Sequence, residues 1–351
     1  MTSRPLDGIR LVEIAGLGPA PFAGMMLADM GAEVTLVERP GPRWVHAPEG
    51  PADILNRGKR PLLVDLKSDE GRDEVLALVG GADGLFEGFR PGVMERLGLG
   101  PDVCHARNPR LVYGRMTGWG QDGPLASAAG HDINYVALAG ALRHFARAGE
   151  APVPPLNLVG DFGGGGMFLV AGMLAGLLEA ARTGRGRVVD AAMVDAVPVL
   201  MAMTYSFAAA GTWDASRFGE NLLDTGAPYY DVYATADGNY VSIGPIERPF
   251  YVELLARLGI DADAEGFADQ DDRSTWPRLR QRFADVFLSK TREEWTTELE
   301  GSDVCFAPLL SMTEAPSHPH LVHRGTFFTA DGVLQPAPAP RFLSPAAGEP
   351  T

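Results

Sequence analysis

Cysteine is scarce in this chain, with only Cys104 and Cys305 among 351 residues. Two thiols allow at most one bridge and supply neither a disulfide framework nor a thiolate metal site, so a reducing cytoplasm and no metal are expected. Positive charge is also short. Lys and Arg number 30 against 45 Asp and Glu, a net charge of -15, which speaks against nucleic acid as a partner because backbone binding needs a clustered basic face. Met1 to Ile9 carries Arg4, Pro5 and Asp7 and none of the apolar run that opens a secretory signal. No internal repeat or low-complexity tract interrupts the chain. The one long uncharged stretch, Gly163 to Leu178, starts on four glycines and lies between Asp161 and Glu179. That pattern suits a helix packed inside a protein, so no membrane span is expected.

What the chain does contain is ordinary globular material, 46% apolar and 21% charged, long enough for two domains. The runs Ile9 to Ile14, Ala32 to Val37, Pro61 to Val64, Gly84 to Phe86, Leu111 to Tyr113 and Val188 to Asp190 read as strands. Helical patterns at Pro19 to Met30 and Glu70 to Leu78 fall between them, and two more helices begin near His131 and after Asp161. Such alternation predicts an α/β fold, a Rossmann-like large domain built on a parallel sheet. Farther on, Tyr229 to Thr235 and Asn239 to Ile243 flank Ala236-Asp237-Gly238 as a hairpin, and Arg248 to Leu258 and Trp276 to Phe287 are amphipathic, a smaller α+β domain. The expected division is a large domain at 1–200 completed by 325–351, a linker at 201–226, a small domain at 227–310 and a return linker at 311–324.

Gly16-Leu17-Gly18 after the first strand hints at a dinucleotide loop, but Pro21 replaces the third glycine of that fingerprint and Pro19 removes an amide donor. Nicotinamide binding is therefore the least favoured reading. Arg39, Arg57, Lys59, Arg60, Lys67 and Arg90 gather near strand ends, where α/β sheets bind ligands and guanidinium groups suit phosphate oxygens; a solvated basic edge explains them as well. Asp161 precedes Phe162 and then Gly163 to Gly166. Helix capping explains an aspartate there, but not the glycines, each of which costs about 1 kcal/mol in a helix relative to alanine. Something must approach that backbone closely. His131 and Glu247, each at a helix start, have equally plain structural readings.

The segments GFRPG at 88–92, RMTGWGQ at 115–121, GHDINY at 130–135, PLNLVGD at 155–161 and GAPYY at 226–230 resemble the α-methylacyl-CoA racemases. These belong to the family III CoA-transferases, also called CaiB/BaiF, and the resemblance runs from about Pro5 to Phe342. It implies a Rossmann-like domain that binds coenzyme A, a small domain on long linkers, and a homodimer whose subunits interlock. It implies further that Asp161 and His131 are the two catalytic bases, with Glu247 placed beside the histidine. Arg39, Lys59 and Arg90 are, by position, the candidates for the phosphates of coenzyme A. The implied reaction interconverts (R)- and (S)-2-methylacyl-CoA thioesters through an enolate. Coenzyme A is then part of the substrate and no separate cofactor is needed.

Racemisation requires a base on each face of the α-carbon and a donor to the enolate oxygen; amides around Asp161 are the expected donors, and the glycines are expected to let the thioester lie against the helix. Met167, Met173, Met193, Met201 and Met203 are candidates for an adaptable surface under the acyl chain. Thr225 and Arg248 stand where relatives often have smaller or non-basic residues. The competing reading is an acyl-CoA:carboxylate CoA-transfer with Asp161 as nucleophile, which needs no second base at His131.

Overall fold

The computed structural model describes residues 4–41 and 48–343. The chain divides into two units, residues 1–141, 154–202 and 323–351 in the first and residues 142–153 and 203–322 in the second.

Six strands make the parallel sheet of the first unit: β1 (Arg10–Ile14), β2 (Glu33–Glu38), β3 (Arg60–Leu63), β4 (Gly84–Glu87), β5 (Val112–Thr117) and β6 (Val188–Ala192). Their order is β3-β2-β1-β4-β5-β6. β4 and β5 are buried at every position, as expected for central strands covered on both faces. The order reverses between β1 and β4, and doubly wound sheets bind ligands outside the carboxyl ends of the strands at such a point.

Helix α1 (Pro19–Asp29) follows β1, and α2 (Asp69–Gly81), α3 (Val93–Arg96) and α4 (Pro101–Arg107) flank β4. α5 (Asp132–Leu138) comes next, then a π-helix (Leu158–Gly166) that runs straight into α6 (Met167–Thr183), followed after β6 by α7 (Met193–Leu200) and α8 (Ala202–Ala209). One core layer joins Leu27, Leu11, Phe86, Val112, Leu169 and Met173; a second joins Val12, Val37, Val75, Val79, Leu85 and Tyr113. The continuous helix Leu158–Thr183 is long and apolar enough to cross a membrane. It is nevertheless a core helix. A Cβ at Gly176 would stand 2.7 Å from Val112 Cγ1, and one at Gly114 would stand 2.8 Å from Leu169 Cδ1, so small residues seat helix and sheet against each other.

The second unit carries an antiparallel sheet of β7 (Asp231–Ala234), β8 (Tyr240–Ile243) and β9 (Phe306–Pro308), with Gly238 at φ 74° in the turn. α9 (Arg248–Arg257), α10 (Ala262–Glu265), α11 (Trp276–Phe287) and α12 (Arg292–Leu299) pack an aromatic core of Tyr229, Tyr233, Tyr251, Phe283, Phe287 and Trp295. The three-residue strand β9 and the helix α12 have no counterpart in the sequence reading.

Residues 142–153, expected in the large domain, group instead with the second unit. Arg147 pairs with the buried Asp231 at 2.7 Å, and His144 Nδ1 stands 3.4 Å from Asp224 Oδ2. The hairpin of β10 (Phe327–Ala330) and β11 (Val333–Pro336) returns to the first unit. Arg57 anchors it. Its guanidinium bonds Asp29 Oδ1 at 3.1 Å, Gln335 Oε1 at 3.1 Å and the Pro336 carbonyl at 2.6 Å, so Arg57 is occupied as a structural clamp. The proposed C-terminal completion of the domain extends to 344–351, which lie outside the described residues.

Candidate active site

The sequence places Asp161 ahead of a helix; the structure puts it inside one. Phe162 N donates to Asn157 O at 3.2 Å, the i to i−5 spacing of a π-helix, a rare form that recurs at functional sites. The glycines that follow make room for the protein's own helices. A Cβ at Gly164 would stand 3.1 Å from Val197 Cγ2 of α7, one at Gly165 2.9 Å from Pro19 Cβ, and one at Gly166 2.5 Å from Phe22 Cδ1 of α1. Phe22 in turn stacks on Phe162 at 4.6 Å between centroids. The close approach that the glycines require is thus α1 and α7 gripping the turn that carries Asp161.

Gly18 completes that grip. It adopts φ 67°, and a Cβ there would stand 2.9 Å from Asp161 Oδ2. The Gly16-Leu17-Gly18 loop, at the carboxyl end of β1, therefore faces a carboxylate, which agrees with its poor fit to a pyrophosphate.

His131 is the exposed N-cap of α5, its amide bonded to Asn134 Oδ1 at 3.0 Å. The next residue, Asp132, is 7% exposed and accepts the amide of Asp161 on Oδ1 at 2.7 Å. The Asp161 amide is therefore bonded within the protein. Asn157 Nδ2 donates to Asp161 Oδ2 at 3.2 Å. Burial holds Asp161 above the ordinary aspartate range; the Asn157 amide pulls it back, Asp132 pushes it up again and His131 pulls it down. His131 is the sequence neighbour of Asp132, the residue that holds the Asp161 backbone.

Tyr135 fills the space beside them. A Cβ at Gly118 would stand 2.0 Å from its ring, and Trp119 meets it edge-on at 4.7 Å. Burial raises its hydroxyl, with Asp161 adding to the effect and Arg90 opposing it. Asp132, Tyr135 and Asn157 escaped the sequence reading although they lie in the two motifs that carry His131 and Asp161. Glu247 is the exposed N-cap of α9 in the second unit.

The three candidate phosphate contacts fare differently. Arg39 is exposed beyond the end of β2. Arg90, after β4, is exposed with Nη1 3.5 Å from the Ser127 carbonyl. Lys59 is a correction. Its side chain is fully buried, and Nζ meets Glu13 Oε1, the Pro21 carbonyl and Asn56 Oδ1, each at 2.9 Å, which accounts for all three protons. Of the methionines, Met173 and Met193 are core, whereas Met167 and Met203 are exposed. Among the described residues no three His, Cys, Asp or Glu side chains gather as a metal site requires.

Known proteins resemble this arrangement over nearly its whole length. The family model of CoA-transferase family III matches residues 6–351. The chain is 44% identical to an alpha-methylacyl-CoA racemase of Mus musculus, over 95% of this chain and 85% of the mouse protein. It is 43% identical to an alpha-methylacyl-CoA racemase of Homo sapiens, over 97% of this chain and 87% of the human protein. The crystal structure of a CaiB/BaiF family protein from Brucella suis superposes with a TM-score of 0.82 at 28% identity, over 97% of this chain and 93% of that one.

Proposed function

The chain belongs to CoA-transferase family III, and from that premise we propose that it interconverts (R)- and (S)-2-methylacyl-CoA thioesters. The observation that carries the reading is the pairing of a half-buried Asp161 with His131, two groups able to exchange protons, joined through Asp132. An α-hydrogen beside a thioester carbonyl is a weak acid. A carboxylate held above its usual range is a better base for it than a free aspartate, and inversion needs the second group to return a proton to the other face. Glu247 is the proposed partner of the histidine, and Arg39 and Arg90 are the proposed contacts to the phosphates of coenzyme A.

We propose a homodimer as the working form. α8 supports it: its sequence AMTYSFAA is mainly apolar, yet no residue of it is buried within one chain. No cofactor beyond the coenzyme A of the substrate enters the scheme. The unpaired thiols of Cys104 and Cys305 accord with a reducing cytoplasm.

The test incubates each enantiomer of a 2-methylacyl-CoA with the protein in deuterated water and follows configuration and α-deuterium together. Inversion with one deuterium gained supports racemisation. His131→Ala and Asp161→Asn should each abolish inversion, and each retains at most exchange on the face of the remaining base. Racemisation at the wild-type rate by His131→Ala, with acyl transfer to free carboxylates lost in Asp161→Asn, would instead establish the CoA-transferase reading.

A further inference from the structure

Asp132 is the buried residue at which the two candidate bases meet. It follows His131 as the first residue of α5, is 7% exposed, and accepts the Asp161 amide on Oδ1 at 2.7 Å. Its other oxygen, Oδ2, is buried with no hydrogen-bond partner. Gly160 permits this approach, since a Cβ there would stand 2.4 Å from Asp132 Oδ1. Holding one amide does not require a carboxylate; a serine oxygen accepts the same bond without burying a second, unpartnered polar atom, which is costly. The charge itself therefore has a use.

Resting on the racemase reading, we propose that Asp132 is a positioning residue of the reaction: Oδ1 fixes the π-helical turn that aims Asp161, and the buried, unpartnered Oδ2 belongs to a carboxyl group set beside that turn to tune the base it carries. Few groups face Asp161. From α5 come His131, Asp132 and Tyr135; from its own segment comes Asn157; the loop ahead of α1 contributes Gly18, which has no charge. Asp132 is the one anion in that set, and its effect on Asp161 runs upward, against those of Asn157 and His131.

The test is the pH profile of inversion by Asp132→Asn, an isosteric change that retains an acceptor and removes the charge. Asp161 must lose its proton to act as the base, so its titration forms the acid limb of kcat/KM. The acid limb should move to lower pH and the alkaline limb should stay in place. The rate at the optimum should fall about tenfold, because a less basic carboxylate abstracts the proton more slowly. Asp132→Ser removes charge and volume together and reads the same limb should Asp132→Asn not fold. An unmoved acid limb, or a uniform loss at every pH, overturns the proposal and leaves a structural role only. Wild-type protein run alongside separates the two levels: no α-exchange in wild type fails the racemase reading itself, whereas normal wild-type exchange with an unmoved limb in both variants fails Asp132 alone.

Discussion

Replacing Lys59 by methionine tests whether its ammonium holds the fold or awaits a ligand. Lys59 and Glu13 are both fully buried, 2.7 Å apart, beneath Gly24 of α1, where a Cβ would stand 1.9 Å from Glu13 Oε2. Burial pushes Glu13 up from 4.5 to about 7, even with Lys59 pulling it down, and lowers Lys59 in turn. Methionine keeps the chain length but leaves a carboxylate alone in the interior, and breaking a buried pair in this way costs about 3–5 kcal/mol. A carboxyl whose pKa is raised by folding is protonated more readily in the folded state. Its contribution is fully present below about pH 4.5 and is lost as pH rises through the folded value. Without Lys59 that folded value rises further, so acid should rescue the variant. Urea unfolding should show Lys59→Met destabilised by about 3–5 kcal/mol at pH 8, where folding must either bury the Glu13 charge or bind a proton to it. At pH 5 the loss should shrink to about 1–2 kcal/mol, the cost of the unmet acceptors at Pro21 and Asn56. Glu13→Gln added to Lys59→Met should recover most of the loss at pH 8. An equal loss at both pH values would refute the reasoning, and a stable variant with weakened CoA-ester binding would return Lys59 to the phosphates.

Two further outcomes follow from the exposed surface. Arg90→Ala should weaken binding of a CoA thioester about tenfold in calorimetry and make what remains less sensitive to salt, since one cation facing phosphate is removed; unchanged binding at low salt would take Arg90 out of the site. Light scattering should find a dimer at all concentrations that support activity, with apolar α8 covered, and an active monomer would end that reading.

The sheet can be read from the sequence because each strand carries a short apolar pair between breakers, Leu11-Val12 in β1, Leu36-Val37 in β2 and Leu85-Phe86 in β4, although the buried Glu13 of β1 interrupts that pattern. The glycines after Asp161 announce a close contact, but its identity depends on Pro19, Phe22 and Val197, which local pattern does not connect to them. The same distance hides Lys59. Its acceptor Glu13 lies 46 residues away, and a lysine at a strand end has one appearance whether it meets a phosphate or a buried glutamate. Residues 142–153 leave their sequence neighbours for a partner at Asp231, 84 residues from Arg147. His131, Asp161 and Glu247 were assigned by resemblance. The fold adds the bond of Asp132 to the Asp161 amide, a contact that the spacing of GHDINY and PLNLVGD does not disclose.

The Arg57 clamp also sets an order of events during synthesis. Gln335 and Pro336 lie 278 and 279 residues beyond Arg57, with the whole second unit translated between them. A chain emerging from the ribosome can complete the six-stranded sheet once β6 is out, yet Arg57 then has Asp29 alone. The β10–β11 hairpin reaches its seat only after nearly the entire chain is made, and closing so long a loop is entropically slow. The nascent first unit therefore waits for Phe328 and Gln335 while residues 203–322 of the second unit are made. A premature stop after β9 would remove Gln335 and Pro336 and leave Arg57 with Asp29 alone, so the last stretch translated decides whether the earliest one is closed.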